Sequence, residues 1–252
     1  MPLFHLLRSE NRFTPLWSVP RPELKELWIE AKDEGALELL SQLPHRGLAI
    51  VGTRWPQARS EHFTEALLGS LRGSHLIVIS GLARGIDRVA HEEALHHGLP
   101  TIAVLGCGHH HHYPSESAAL REAIVSAGGL VISEFPPDGP PLKQNFVKRN
   151  RCIAAWSHAT CVIEAPAKSG ALITADYAME RHATVFCVPS FPGDPAFAGN
   201  QRLLDEHAAI PLWAAHSLGA AWLEFAALQV PPGLPFDVPL RATLLKKSEA
   251  SP

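Results

Sequence analysis

The chain has 252 residues, 46% of them hydrophobic, with 22 Lys and Arg against 25 Asp and Glu for a formal net charge of −3. That length can bury a full core in one α/β domain with short appendages. The acidic balance argues against a protein that coats duplex DNA through global electrostatics, so nucleic acid would have to meet a local basic patch.

Residues 1–8 are apolar but lack a basic leader, a long hydrophobic stretch and a small-residue cleavage site, so they read as neither signal peptide nor anchor. No apolar run approaches the length of a membrane span. Residues 22–43 read as a helical arm, interrupted near Gly35. Then strand-length apolar runs alternate with helical segments. The runs are 48–53, 75–80, 101–105, 129–133, 159–165 and 184–188; the amphipathic segments are 60–71, 86–97, 117–127, 145–156 and 171–181. The runs are nearly continuous in Val, Ile, Leu and Ala, as a parallel sheet covered on both faces requires. Strand–helix repetition implies right-handed crossovers and an α/β fold with a doubly wound, mostly parallel sheet. Residues 214–228 read as one more helix, before a Pro-rich tail. The expected organisation is an N-terminal arm over 1–44, the α/β domain over 45–213, and a C-terminal helix and tail over 214–252. Cys107, Cys152, Cys161 and Cys187 form no C-x-x-C pair, a usage that fits a reducing cytoplasm.

In an open parallel sheet, ligands bind beyond the carboxyl ends of the strands, near the point where strand order reverses. The expected turns there are glycine-rich and basic. Gly52, Thr53 and Arg54 close the first run. Ser80, Gly81, Arg84 and Gly85 follow the second, inside Ser80-Gly-Leu-Ala-Arg-Gly-Ile-Asp87. Gly106 and Gly108 follow the third, and Lys168, Ser169 and Gly170 the fifth. Glycine lets backbone N–H groups approach a ligand, and each following helix presents its positive N-terminal end. For any single loop, a tight connection is the plainer reading, with Asp87 a helix cap and both arginines solvated. Both arginines lie in glycine loops at one sheet edge, which favours a phosphate cradle.

Lys143-Gln-Asn-Phe-Val-Lys-Arg-Asn-Arg151 holds four cations, no acid and one aromatic. On a helix, Lys148, Arg149 and Arg151 cannot share one face; some must point to the loop edge and others to solvent or a carboxylate. Read alone, this is a solvated basic helix start with Phe146 in the core. Placed after the fourth run and toward the glycine loops, it reads as phosphate clamps around a stacking platform, the pairing found in single-stranded-DNA binders.

The same residues carry a family resemblance. The segments 80–87, Ala103-Val-Leu-Gly-Cys-Gly108 with Tyr113-Pro114, Asn145-Phe-Val-Lys-Arg-Asn-Arg151 and Ser169-Gly-Ala-Leu-Ile-Thr-Ala175 resemble, in this order, the motif series of the DNA-processing protein A (DprA/Smf) family. The likeness covers roughly residues 45–213. It implies an extended Rossmann-like domain that binds single-stranded DNA, forms a homodimer and hands the strand to the recombinase RecA during natural transformation. It points to Arg54, Arg84, Lys143, Phe146, Arg149, Arg151 and the 168–170 loop as the DNA pocket, with Asn145 and Asn150 inside its basic motif. Departures are Val147 where the family has proline, His109–His112 where a Leu-Asp-rich segment is usual, and His207 where glycine is usual. The stretch past Trp213 does not resemble the winged helix of many members.

Enzyme signatures are missing. The sequence has no G-x-x-x-x-G-K-[ST] loop and no G-x-S-x-G elbow, and His91-Glu-Glu-Ala-Leu95 lacks a second histidine. Glu134 and Glu164 end strands and could flank a substrate, though such carboxylates more often orient arginines or cap amides. Cys107 with His109–His112 offers metal-ligand chemistry, but neighbours in one short loop rarely converge on an ion, so surface histidines are the better reading. The expectation is no catalytic residue, no cofactor and no metal. The alternative is a nucleotide-binding or nucleotide-processing protein similar to the phosphoribohydrolases, against which stands the lack of their Pro-Gly-Gly-x-Gly-Thr run.

Overall fold

The computed structural model describes residues 1–10, 13–20 and 23–218, so the helix expected over 214–228 lies outside the described residues from 219 onward. In chain order the elements are β1 (Leu3–Leu7), β2 (Glu26–Glu30), β3 (Gly47–Val51), α1 (Ala58–Ser70), β4 (Ile77–Ser80), α2 (Ile86–His96), β5 (Thr101–Leu105), α3 (Ala118–Ser126), β6 (Leu130–Ser133), α4 (Lys143–Ala155), β7 (Ala159–Val162), α5 (Gly170–Glu180), β8 (Thr184–Cys187), α6 (Ala198–Asp205) and β9 (Ile210–Pro211).

All nine strands join one sheet, ordered β1-β2-β6-β5-β4-β3-β7-β8-β9. From β6 to β9 every neighbouring pair is parallel. The chain walks outward from β3 to β6, then returns to lay β7 on the other side of β3. Order therefore reverses between β3 and β7, and right-handed crossovers put the helices before and after that reversal on opposite faces. The sequence accounts for the strands directly: β3, β4, β5, β6 and β7 are buried at every position. Two apolar layers result. One holds Leu82, Ala103, Leu105, Ile124, Val125 and Val131, beneath α3. The larger one joins Ile79, Val104 and Ile132 to Ile153 of α4, to Trp156 just past its end, and to Leu16, Leu27 and Leu40 from the N-terminal segment.

Over the described residues 23–43 the arm forms no α-helix. Glu26–Glu30 is the strand β2, antiparallel to both β6 and β1, and only Glu34–Gln42 coils, as a 3₁₀ helix capped by the Asp33 side chain. The exposed edge of β6 decides the matter: Trp28 and Ile29 find partners opposite Ser133 and Ile132, and such pairing overrides local propensity. The described residues of the 1–44 segment thus contribute β1, β2 and part of the core to the sheet of the domain they precede. Trp156, fully buried, fixes them further by donating its indole N–H to the Leu16 carbonyl at 3.0 Å.

α6 ends on a left-handed residue. His207 has φ 53°, its N–H donates to the Leu204 carbonyl at 3.1 Å, and that of Ala208 to Leu203 at 2.9 Å. This is the helix stop for which glycine is suited, at the position where the sequence departs from glycine.

Candidate nucleic-acid interface

The glycine loops converge at the carboxyl edge as expected, but the glycines serve the protein's own packing. A Cβ on Gly52 would lie 2.5 Å from Ile86, on Gly106 2.4 Å from the Phe146 ring, and on Gly108 2.0 Å from the Pro136 carbonyl. Gly81 leaves room for the Arg149 guanidinium, 2.2 Å from where its Cβ would be. Gly85 needs glycine twice over, because its φ is +75° and a Cβ would strike the Thr53 carbonyl. Thr53 then ties three loops together: its N–H donates to the Glu164 carbonyl at 2.7 Å, and its carbonyl accepts from Ile86 N–H at 3.2 Å. At Gly170 nothing lies within 4 Å of a Cβ, and the neighbouring Ser169 hydroxyl caps α5 by accepting from Ala171 N–H.

Of the proposed cations, Arg54, Arg84, Lys143 and Lys168 are exposed at this edge. Arg84 is paired with Glu116, which holds that carboxyl down to about 2. Among the described residues Arg54 has no ion pair. Lys143 opens α4, and Phe146 stands one turn on, at i+3 and so on the same helix face.

Two residues assigned to phosphates are placed elsewhere. Arg151 is fully buried, its guanidinium 2.5 Å from the Glu134 carboxylate and 3.4 Å from the Pro20 carbonyl. Enclosed beneath the N-terminal segment, it cannot reach a strand. Glu134 also takes Lys148 at 3.0 Å, so of Lys148, Arg149 and Arg151 two meet a carboxylate, and Arg149 turns toward the loops. Arg149 is buried as well, donating to the Gly81 carbonyl at 2.7 Å and to Val104. Burial lowers its pKa against the opposing charge of Asp87, whose own carboxyl burial raises. Arg149 is therefore a brace under the cradle, and Asp87, accepting from Gly81 N–H at 3.1 Å, is a helix-terminal anchor. Ser80 is also internal, donating to the Ile50 carbonyl at 2.6 Å. Asn145 and Asn150 donate to the carbonyls of Pro140 and Gly170, which shapes the loop rim. Glu164 accepts from Gln57 N–H at 2.9 Å, the amide-capping use foreseen for it.

Phe146 is half-buried, its ring over Gly106 and 5.0 Å from that of Tyr113, tilted by 44°. Tyr113, 42% exposed, was not among the expected site residues, although its Tyr-Pro step lay within a recognised motif. Trp55, directly after Arg54, was missed too and stands 77% exposed.

His109 corrects the reading of the histidine run as a surface feature. It is buried, its Nε2 is 3.0 Å from the Trp28 carbonyl, and its Nδ1 accepts from Arg121 at 3.0 Å, joining β2 to α3. His110 is exposed and pairs with Asp138 at 2.7 Å. Among the described residues no group of His, Cys, Asp or Glu is placed to hold a metal ion, all four cysteines are buried and free, and no helix is long and apolar enough to cross a membrane.

A family model described as "DNA recombination-mediator protein A" matches residues 29–219. The Smf protein of Synechocystis is 42% identical over 177 residues, which are 70% of this chain and 43% of that one. The solved structure of DNA processing protein A from Streptococcus pneumoniae superposes with a TM-score of 0.74 at 32% identity, covering 87% of this chain and 73% of that one. The Helicobacter pylori protein, solved for its single-stranded DNA binding mode, gives 0.73 at 27% identity and covers 83% and 92%. The chain spans about half the length of the curated relatives it matches. With the ordered motifs, the Rossmann-like sheet and the match over most of the chain in agreement, the protein belongs to the DNA recombination-mediator protein A (DprA/Smf) family.

Proposed function

We propose that this chain binds single-stranded DNA along the carboxyl edge of its sheet, with Arg54, Lys143 and Lys168 on phosphates and Phe146, with Tyr113, facing an unpaired base. The observation that carries the reading is the pairing of exposed cations with half-exposed rings on one edge, which suits a flexible strand whose bases are free to stack. The Helicobacter relative's DNA binding supports it. The protein acts by binding rather than catalysis, needs no cofactor, works as a homodimer and passes the strand to a RecA-type recombinase. Phosphate contacts and stacking are largely blind to base identity, so sequence preference is slight. Parallel titrations with a single-stranded oligonucleotide, its duplex and mononucleotides test this. Tightest binding to the single strand, with a salt slope that falls by about 0.7 for each of Arg54→Ala and Lys143→Ala, supports the reading. A preference for mononucleotides replaces it with a nucleotide pocket.

A further inference from the structure

Continuous with the cradle at Arg54 lies a cleft of about 630 Å³ between the loop after β3, the start of α2 and the segment leading into α3. Its charges cancel internally. Arg84 pairs with Glu116, and Arg88 with Glu92 at 2.7 Å and Glu61 at 3.9 Å. Apart from Arg54, what remains open to a ligand is largely apolar: Trp55, Leu82, Pro114 and Leu120 line the walls. Trp55 is 77% exposed, and the Arg84 guanidinium sits 6.0 Å from its ring centroid. Inside the cleft a phosphate gains little from Arg84 or Arg88, since each already faces a carboxylate, which leaves Arg54 as the unpaired cation on its lining. A flat aromatic ligand gains much, from the indole face and the guanidinium plane.

We infer that this cleft is a nucleobase subsite, in which Trp55 stacks on a base whose neighbouring phosphate is held by Arg54. The inference rests on the proposal that the chain binds a single strand, and adds to it a second base contact distinct from that at Phe146. Arg84 is a positioning residue here: held by Glu116 beside the indole, it fixes the wall on which the base lies. Because the cleft carries no net positive charge, the subsite adds affinity without adding to the salt dependence.

The test is an abasic scan. Oligo-dT strands carrying one abasic position each are titrated against the wild-type protein, Trp55→Ala and Trp55→Phe, with Arg54→Ala and free dAMP and dTMP in parallel. Trp55 is exposed, so its replacement leaves the fold intact. The expected result is that Trp55→Ala loses roughly 5- to 150-fold in single-strand affinity. Its salt slope stays unchanged, and Trp55→Phe recovers much of the loss. One abasic position that weakens the wild type should have no further effect in Trp55→Ala. If Trp55→Ala binds like the wild type and the scan is unchanged while Arg54→Ala weakens binding, the subsite is refuted and the single-strand reading stands. If the wild type does not bind the strand, that reading fails first. Binding of free dAMP or dTMP as tight as that of the strand, and lost in Trp55→Ala, overturns the inference in favour of a mononucleotide site.

Discussion

Arg151 and Arg54 separate a cation that holds the fold from one that holds a strand. Arg151→Ala removes one member of a fully enclosed ion pair and leaves the Glu134 carboxylate with Lys148 at 3.0 Å. Breaking a buried pair costs about 3–5 kcal/mol, and the surviving lysine places this case near the lower end, about 3 kcal/mol. In a unit of this size each kcal/mol moves the melting midpoint by about 2–4 °C, so a drop of about 6–12 °C is expected. The folded variant should bind a single strand with an unchanged salt slope. Adding Glu134→Gln should recover part of the midpoint, because the uncompensated charge is gone. Arg54→Ala should do the reverse, melting with the wild type while its salt slope falls by about 0.7. Thermal melts beside titrations at several salt concentrations read both. If Arg151→Ala melts with the wild type and loses the slope, the guanidinium reaches the strand and the burial argument is wrong.

Phe146→Ala is expected to cost about 1–3 kcal/mol of single-strand affinity, which tyrosine restores and leucine does not; leucine rescuing affinity as well as the melt would make Phe146 a packing residue only. His109→Ser should lower stability by about 1–3 kcal/mol, since it removes partners of the Trp28 carbonyl and Arg121, whereas serine at His110, His111 and His112 together should leave the melt nearly unmoved. Equal effects of the two variants in urea unfolding would contradict that division. His207→Gly should stabilise by about 0.5–1 kcal/mol by relieving the left-handed backbone, and a lower denaturation midpoint would show that the His207 side chain contributes more than its conformation costs.

The parallel core and its five helices were legible because every buried strand is a short apolar run and every crossover helix keeps a polar side. β2 was not, because Glu-Leu-Trp-Ile-Glu has no alternation to mark a strand, and its identity comes from the open edge of β6 about a hundred residues later. The short β1, β9 and α6 were missed for a related reason: each is defined by what it docks on. At the site, the sequence located the edge and most of its loops. It could not tell that Arg151 would find Glu134, nor that Arg149 would be drawn under Gly81, because helix periodicity gives the direction of a side chain and not the carboxylate that waits there. Trp55 and Tyr113 carried signals, each lying beside a motif residue, but exposure is a property of the assembled loops.

The pairing of β2 with β6 also sets an order of events during synthesis. Leu16, Leu27 and Ile29 leave the ribosome about a hundred residues before the strand that pairs with β2, which is complete only at Ser133. At about 5–20 residues per second, roughly a hundred residues of further elongation take on the order of 5–20 s. For that interval the first apolar segment has no native sheet to join, and two-stranded pairing with β1 alone is marginal in water. The nascent β2 segment is thus exposed to holdase chaperones and to like segments on neighbouring chains, and its docking onto β6 closes that sheet edge at the same moment.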